Sequence, residues 1–403
     1  MITHKSEYSL LIWSLNQILD NCVEGRTQKG LSEPNLLQYE NLDWAAFSNL
    51  TLYHSVTALV AESLSYQSEE FPEELADAFS VFLTSQRESN EKRTDAFVEV
   101  LSALQTAGIS TIPFKGPILA ETIHQDIGLR SFWDFDFLFS YSQIKKLSEV
   151  LKSLEIIGSL PDTPKQVEAY WKYSGQAVYR REKDKLALEP HWSFTSSVLA
   201  CDLDYEAIWT RSKSQDWHGV RIRVMSAEDE FIMLALHGGK EAWAKLKYIF
   251  DLARFLKMNP DLDWSYISSV TDKVGIRRII HLALEAVIAT FDSFKTFEYP
   301  FKERDKVAQG ILRKIQHCET TLAPEMYYFN PYFMRIRERN IHKAKYLFRL
   351  FLTPRSSHFK IVKIPDSLFF LYTPFKVLYD SLVLPLWKVW KSLTGKTSTK
   401  LPA

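Results

Sequence analysis

Two aspartates, Asp134 and Asp136, alternate with bulky apolar residues in the run Trp133-Asp134-Phe135-Asp136-Phe137-Leu138-Phe139. This alternation predicts a β-strand on which both carboxylates point to one face. Two anions side by side on a buried strand repel each other and lose hydration unless a cation compensates. Mg²⁺ suits such a site, because it takes one or two protein carboxylates and completes its shell with water and phosphates. The alternative is a half-exposed edge strand with a solvated acidic face.

A glycine turn upstream predicts an anion site. An apolar run, residues 109–114, ends at Lys115-Gly116-Pro117 and leads into a helix-compatible segment. Gly116 lets the backbone approach a ligand closely, and Pro117 suits a first helical turn. A helix N-terminus in this position attracts anions, and Lys115 adds a full positive charge. Arg130, just before the acidic strand, is placed to reach a polyphosphate with its fork of donors.

A third acid, Glu189, lies on another short apolar strand within residues 185–192. His191 stands two residues further along and therefore shares the face of Glu189. His191 has two equal interpretations, as a site residue or as the end of a strand. Three acids on two strands beside a glycine turn predict a two-metal site for phosphoryl transfer.

These motifs, in this order, resemble the DNA polymerase β-type nucleotidyltransferase superfamily. The residues that carry the resemblance are Phe114-Lys115-Gly116, Arg130, Asp134-Phe135-Asp136-Phe137-Leu138 and Glu189-Pro190-His191-Trp192. More narrowly, the chain resembles a bacterial family of uncharacterised nucleotidyltransferases found near peptide or polysaccharide biosynthesis genes. The similarity continues through His54-Ser55-Val56-Thr57, His237, Trp243, Leu246-Lys247 and Asp251, and spans about residues 40 to 385. The superfamily's usual Gly-Ser or Gly-Gly turn is replaced here by Lys115-Gly116, as in the narrower family.

The resemblance implies an α+β fold in which a small mixed β-sheet is flanked by N- and C-terminal helical modules. It implies roles for two sets of residues: a catalytic and metal-binding set, Asp134, Asp136 and Glu189, and a nucleotide-binding set, Lys115, Gly116, Arg130, His191, Lys247 and Asp251. In the second set, Lys247 would touch phosphate and Asp251 would orient it. Without the resemblance, Lys247 and Asp251 at i and i+4 would be interpreted as a plain surface ion pair.

The implied activity is transfer of a nucleoside monophosphate from an NTP, with ATP as the expected donor, to a hydroxyl acceptor. Two Mg²⁺ ions are the expected cofactors, and pyrophosphate is the expected leaving group. The acceptor stays open among a small molecule, a peptide, a protein side chain and an RNA end. Two alternatives remain: a catalytically degenerate nucleotide-binding regulatory or scaffold protein, and a peripheral membrane or protein-docking module. The second rests on the aromatic segment Leu368–Trp390, whose amphipathic period Pro374 and Pro385 interrupt.

Composition limits the partners and the location. Lys plus Arg and Asp plus Glu are 49 each, so no overall basic field draws the chain onto nucleic acid. The three cysteines are widely separated and lack C-x-x-C spacing, which fits reduced thiols in the cytoplasm and gives no sign of a disulfide framework or zinc site. No run reaches the roughly 18 uninterrupted apolar residues of a spanning helix, so we expect no transmembrane segment and a cytoplasmic location.

Changes in periodicity predict four modules. These are an N-terminal helical module (1–108), a mixed core (109–225), a second helical module (226–300) and a C-terminal helical arm (301–403). The resemblance implies that the core is the nucleotidyltransferase core and that the second helical module closes over the nucleotide. Within the core, the pattern predicts strands at 109–115, 132–139, 176–182, 185–192 and 220–225 and helices at 117–125 and 142–157. Repulsion between the two metal-free aspartates predicts that Asp136→Asn leaves stability unchanged or raises it.

Overall fold

The computed structural model describes residues 5–20, 42–64, 71–300 and 329–387, with the isolated positions 306, 309–310, 312–313 and 390. Cys201 is a buried free thiol, and the other two cysteines, Cys22 and Cys318, lie outside the described residues.

Helices precede and follow a small central sheet, so the α+β class expected from the sequence is confirmed. The helices before the sheet are α1 (Lys5–Asp20), α2 (Trp44–His54), α3 (Thr57–Leu64) and α4 (Glu73–Thr106). Those between the strands are α5 (Gly116–Leu119), which continues as a π-helix (Ala120–His124), α6 (Ile144–Ser153), α7 (Pro164–Ser174) and α8 (Tyr205–Arg211). Those after the sheet are α9 (Ala227–Lys240), α10 (Leu246–Met258), α11 (Trp264–Val274), α12 (Arg277–Thr290), α13 (Pro331–Arg335), α14 (Asn340–Leu352), α15 (Ser356–Ile361) and α16 (Tyr372–Leu378).

The main sheet is mixed and has the spatial order β1-β2-β5-β4-β3. Its strands are β1 (Thr111–Phe114), β2 (Phe135–Phe139), β3 (Ile157–Gly158), β4 (Tyr179–Arg181) and β5 (Leu186–His191). Strand β2 pairs antiparallel with β1 and parallel with β5, and the β2–β5 register sets Asp136 opposite Glu189. A separate hairpin joins β6 (Lys213–Trp217) to β7 (Val220–Val224).

Strand β2 is buried on both faces, which decides how its two kinds of side chain are used. Phe135, Phe137 and Phe139 enter one core with α4 and α6, and the Phe97 ring stacks on Phe135 at 4.5 Å between ring centroids. Leu138 faces a second, larger core that the N-terminal helices share with α9 to α12. Burial of each phenylalanine contributes roughly 1.5 to 3 kcal/mol. Asp136 therefore lies on a rigid strand and has only 5% of its surface exposed.

Helices from both ends of the chain share the larger core, so the predicted helical modules pack together in one core. The boundaries at residues 108, 225 and 300 remain predictions from the sequence.

Within the described residues, one helical run, Asp366–Trp387, has the length and apolar composition needed to cross a membrane. Lys376 and Asp380 interrupt its apolar residues, which is why no uninterrupted run appears in the sequence.

Candidate active site

Asp136 is an ionised carboxylate held between two basic side chains. Its Oδ2 lies 3.3 Å from the Lys115 Nζ, and its Oδ1 lies 2.8 Å from the His191 Nε2. Burial raises the pKa of the Asp136 carboxyl, but Lys115 and His191 reverse this and hold that pKa well below its usual range. The parallel pairing of β2 with β5 brings Asp136 and His191 together across a sequence separation of 55 residues.

Glu189 completes the acidic wall beside Asp136. Its carboxylate accepts a hydrogen bond from the Gln176 amide, and its Oε2 lies 4.0 Å from the His191 Nε2. Burial, followed by repulsion from Asp136, raises the pKa of Glu189. Asp134 lines the same cavity, one residue before β2 begins, and is exposed. The structure thus places all three acids of the sequence analysis around one space.

The donor atoms of this wall fit a divalent cation. Ligand atoms of Asp136, Glu189 and His191 lie within 4.8 Å of one another, whereas Asp134 does not join them at that separation. A bound cation stabilises two neighbouring carboxylates, because it relieves the repulsion between them that helps to raise the pKa of one. Asp136 and Glu189 supply oxygen ligands of the kind that Mg²⁺ prefers. His191 orients Asp136 through the hydrogen bond at Nε2, and its Nδ1 lies 3.2 Å from the Ser193 carbonyl oxygen.

The Lys115-Gly116 turn has an unusual backbone conformation. Lys115 has φ 56° and ψ −144°, and Gly116 has φ 43°, so two successive residues take positive φ values. A positive φ is costly for lysine, and such strain persists where the surroundings fix it, often at functional sites. This conformation lets the Lys115 side chain reach Asp136 while Gly116 begins α5. A Cβ at Gly116 would lie 3.7 Å from the Asp134 carbonyl oxygen, so backbone conformation rather than space favours glycine here.

Arg130 and Asp251 form a buried ion pair. The Arg130 Nε and Nη2 donate to the Asp251 carboxylate at 3.0 to 3.3 Å, and the His124 Nε2 lies 2.9 Å from its Oδ1. Burial raises the pKa of Asp251, but Arg130 and then His124 hold it well below its usual range. The hydrogen bonds of the Asp251 carboxylate thus go to Arg130 and His124, and the expected role of Asp251 in orienting Lys247 stays a prediction. Arg130 also lines the cavity, with two of its nitrogens committed to Asp251.

A cavity of about 410 Å³ collects these groups. Besides the three acids, four cationic side chains line it and are called the cationic wall here: Lys115, which also contacts Asp136, and Arg130, Lys240 and Lys247. Burial, and next the nearby Arg130, lowers the pKa of Lys247 to about 8. His237 also lines the cavity, where burial and then Lys115 lower the pKa of its ring well below 6.5. Trp243, by contrast, is a core side chain that is 2% exposed. The cavity thus brings carboxylates and cationic side chains together around one space.

The match to a known protein family decides which chemistry this cavity belongs to. Residues 40–292, more than half of the chain, match the family described as uncharacterised nucleotidyltransferase. The chain belongs to this family. No curated protein matches its sequence significantly.

Two solved structures of nucleotidyltransferase-type proteins resemble parts of the chain. One is the solution structure of the antibiotic-resistance factor ANT(2'')-Ia, at 10% identity and a TM-score of 0.32, covering 49% of this chain and 96% of that one. The other is an antigenic nucleotidyltransferase-like protein from Paracoccidioides brasiliensis, at 13% identity and a TM-score of 0.29, covering 53% of this chain and 90% of that one. Both scores are low, so the functional interpretation rests on the family match and on the cavity.

The candidate site is supported by residues that the sequence analysis missed. Gln176 bonds Glu189, and His124 bonds Asp251. The hairpin register offered a signal for Gln176, because extending the pairing of Arg181 with Leu186 sets Gln176 opposite His191. For His124 we find no signal, since it meets Asp251 across 127 residues of sequence.

Proposed function

We propose that this nucleotidyltransferase uses Mg²⁺ to transfer a nucleoside monophosphate from an NTP, with ATP as the expected donor, to a hydroxyl acceptor, releasing pyrophosphate. The observation that carries the proposal is the side-by-side placement of Asp136 and Glu189 on two parallel strands, in a cavity that cationic side chains also line. Mg²⁺ bound to these carboxylates supplies charge neutralisation to the phosphates and favours attack at phosphorus.

Glu189 is the residue that we propose accepts the proton of the acceptor hydroxyl. Its carboxylate lines the cavity beside Asp136, where an acceptor hydroxyl next to the phosphates would come within its reach. In the proposed step, the acceptor oxygen forms a bond to the α-phosphorus while the bond from that phosphorus to the bridging oxygen of the β-phosphate breaks. The hydroxyl proton passes to Glu189, and pyrophosphate takes the electron pair of the broken bond.

The cationic wall would bind the triphosphate and stabilise the leaving group. The cavity is lined by Lys115, Arg130 and Lys247, so each can approach the phosphate oxygens of a nucleotide bound there. Asp251 holds Arg130 in place at 3.0 Å, which fixes the direction of its remaining donors. Because the lysines and the arginine are already oriented, little reorganisation accompanies the growth of charge on pyrophosphate.

The acceptor has a candidate approach beside Trp133. This indole is 71% exposed, and the Arg93 guanidinium lies 4.0 Å from its ring centroid. Ser131, Phe132 and Trp133 line both the main cavity and a neighbouring cavity of about 210 Å³. An acceptor lying against Trp133 would therefore reach the Glu189 side of the site from outside the phosphate-binding wall.

Transfer assays test the proposal. Purified protein is incubated with labelled ATP, GTP, CTP or UTP, Mg²⁺ and a cell extract, and transfer to extract components is measured. We expect transfer by the native chain, a loss of about two orders of magnitude in Glu189→Gln, and native activity in the matched control Glu182→Gln on the same hairpin. Binding of every NTP without any transfer would overturn the proposal in favour of a binding-only protein.

A further inference from the structure

Residues 339–403, the distal part of the C-terminal helical arm and called the arm from here on, hold an unusual share of the chain's charge. It contains twelve of the 49 lysines and arginines but only two of the 49 acidic residues, Asp366 and Asp380. The arm therefore carries a formal charge of +10, and residues 1–338 carry −10, although the chain as a whole is neutral. Such segregation gives the molecule one strongly basic region on an acidic body.

The helical run Asp366–Trp387 of this arm turns its charged side chains inward. Lys376 is 1% exposed, and its Nζ lies 2.7 Å from the Asp380 Oδ2. Asp380 also accepts from the Arg355 Nη2 at 2.9 Å and lies 3.2 Å from the His358 Nε2. At the start of the run, Asp366 accepts a hydrogen bond from Thr163, and Tyr372 accepts one from Gln166 at 3.0 Å. The polar side of the run is therefore fixed against α7 and α15.

The opposite side of the same run is apolar and exposed. Leu371, Leu378, Leu382 and Leu386 follow one another at spacings of seven, four and four residues, which places them on one helical face. Their exposures are 38%, 54%, 55% and 68%. Leucines in solvent above a buried ionic cluster are the reverse of an ordinary surface helix. A contiguous apolar face of this kind marks an interaction site.

We propose that the C-terminal arm docks this protein on the surface of a bilayer that contains anionic phospholipids. The leucine row would enter the boundary between headgroups and acyl chains, and the basic residues of the arm would meet the anionic headgroups. Lys360 and Lys363, directly before the run, are exposed, and the ion pair of Lys363 with Asp162 at 3.7 Å is itself exposed to solvent.

Charge decides between this occupant and a second copy of the chain. Asp202 pairs with Lys345 and Arg349, and Asp380 pairs with Arg355 and Lys376, so part of the arm's formal charge is already compensated. The positive charge that remains makes two arms repel each other, whereas an anionic bilayer attracts the arm. The buried Lys376–Asp380 pair favours lying on the membrane over crossing it, because crossing would carry both ions into hydrocarbon and break their contacts with Arg355 and His358.

Vesicle sedimentation with the full chain tests the proposal. Vesicles of phosphatidylcholine alone are compared with vesicles of phosphatidylcholine and phosphatidylglycerol, at low and high salt. We expect binding to the anionic vesicles that salt weakens. The double variant Leu378→Glu/Leu382→Glu should bind roughly tenfold or more weakly. Lys360→Gln/Lys363→Gln should weaken binding to anionic vesicles.

A matched control separates this face from a general effect of added charge. Val81 and Ile157 are exposed apolar residues outside the arm, so Val81→Glu/Ile157→Glu adds the same charge at the same kind of site. This control should sediment like the native chain, and circular dichroism checks the fold of each variant. No vesicle binding at low salt, equal binding by the arm variant and the control, or self-association abolished by the arm variant would overturn the proposal.

Discussion

At the residue scale, Asp136 combines a structural and a chemical role. The expectation that Asp136→Asn leaves stability unchanged or raises it does not fit the structure, because Lys115 and His191 already compensate the charge of Asp136. Removal of the carboxylate leaves Lys115 beside a neutral amide in a largely buried position. Loss of such a partner is destabilising when the remaining charge stays buried.

We predict that Asp136→Asn lowers turnover by two or more orders of magnitude and destabilises the fold by about 1 to 3 kcal/mol. Because the folded-state pKa of Asp136 is depressed, its contribution is present above the unfolded pKa of about 4 and is lost as pH falls below it. Denaturant unfolding at several pH values should show the native and variant curves converging in acid.

The exposed Asp95 on α4 provides the control for that measurement. Asp95→Asn should shift stability by no more than about 0.5 kcal/mol at any pH. A stability difference between the native chain and Asp136→Asn that persists unchanged in acid would contradict the assigned pairing.

Lys247 makes nucleotide affinity depend on pH. Its pKa in the free protein is lowered to about 8 by burial and by Arg130, opposed in part by Asp251 and Asp134. The ammonium form binds phosphate, so affinity for NTP should be full below that pKa and fall as pH rises through about 8. Calorimetric titration of the native chain should show this decline, and Lys247→Gln should bind more weakly with a flatter profile. Identical slopes in both proteins would remove Lys247 from the phosphate wall.

At the element scale, α9 and α10 are joined by a tight connection that positions the cationic wall. The connection places Ala242 and Trp243 in left-handed backbone conformations with φ values of 52° and 48°. The Trp243 ring packs against Gly238 and Gly239 of α9, and α10 begins three residues later. Lys247 and Asp251 of α10 therefore depend for their location on this glycine-tryptophan contact.

Gly238→Ala tests that dependence. An added Cβ would lie 2.5 Å from the Trp243 Nε1, and the buried indole has little room to move. We predict a loss of about 1 to 3 kcal/mol in urea unfolding, with weaker NTP binding. Among the described residues, no atom lies within 4 Å of a Cβ added at Gly310, so Gly310→Ala should be neutral or stabilising by up to about 1 kcal/mol. Equal midpoints for the two variants would show that the Gly238 contact is not under steric constraint.

At the scale of the whole molecule, ligand binding should couple to unfolding because the elements that line the cavity are packed into the cores of the fold. Its lining comes from the sheet and from α9 and α10, and those helices share a core with the N-terminal helices. A ligand that binds only the folded state stabilises it by about 2.7 kcal/mol at one hundred times its dissociation constant.

Thermal unfolding in the presence of each NTP therefore identifies the donor. We predict a rise in Tm of several degrees with the preferred NTP and Mg²⁺, and a much smaller rise when EDTA replaces the metal. Glu189→Gln should lose most of the metal-dependent part of the rise in Tm, while Glu182→Gln should retain it. A shift of the same size with EDTA would argue against a metal-bound nucleotide.

The sequence by itself determined the acidic strand, the glycine turn, the third acid and their order. Alternation in residues 133–139 and 185–192 is a local property that the folded strands retain. Other elements were missed because their sequences lack a clear period: β3 has two residues, β6 is mostly polar, and α7 is rich in lysine and tyrosine. Their formation depends on neighbouring strands and helices rather than on their own pattern.

Only the tertiary structure decided the partners of the charged residues. Parallel pairing of β2 with β5 brought His191 to Asp136, and packing of α10 on the π-helix brought His124 and Arg130 to Asp251. A spacing of four residues favoured a surface ion pair between Lys247 and Asp251. The buried Arg130 guanidinium instead offers the Asp251 carboxylate two donors in a low-dielectric setting, and this interaction is stronger than a solvated ion pair on a helix. The inward turn of Lys376 and Asp380 was likewise hidden in the sequence, because periodicity shows which residues share a face but not which face is covered.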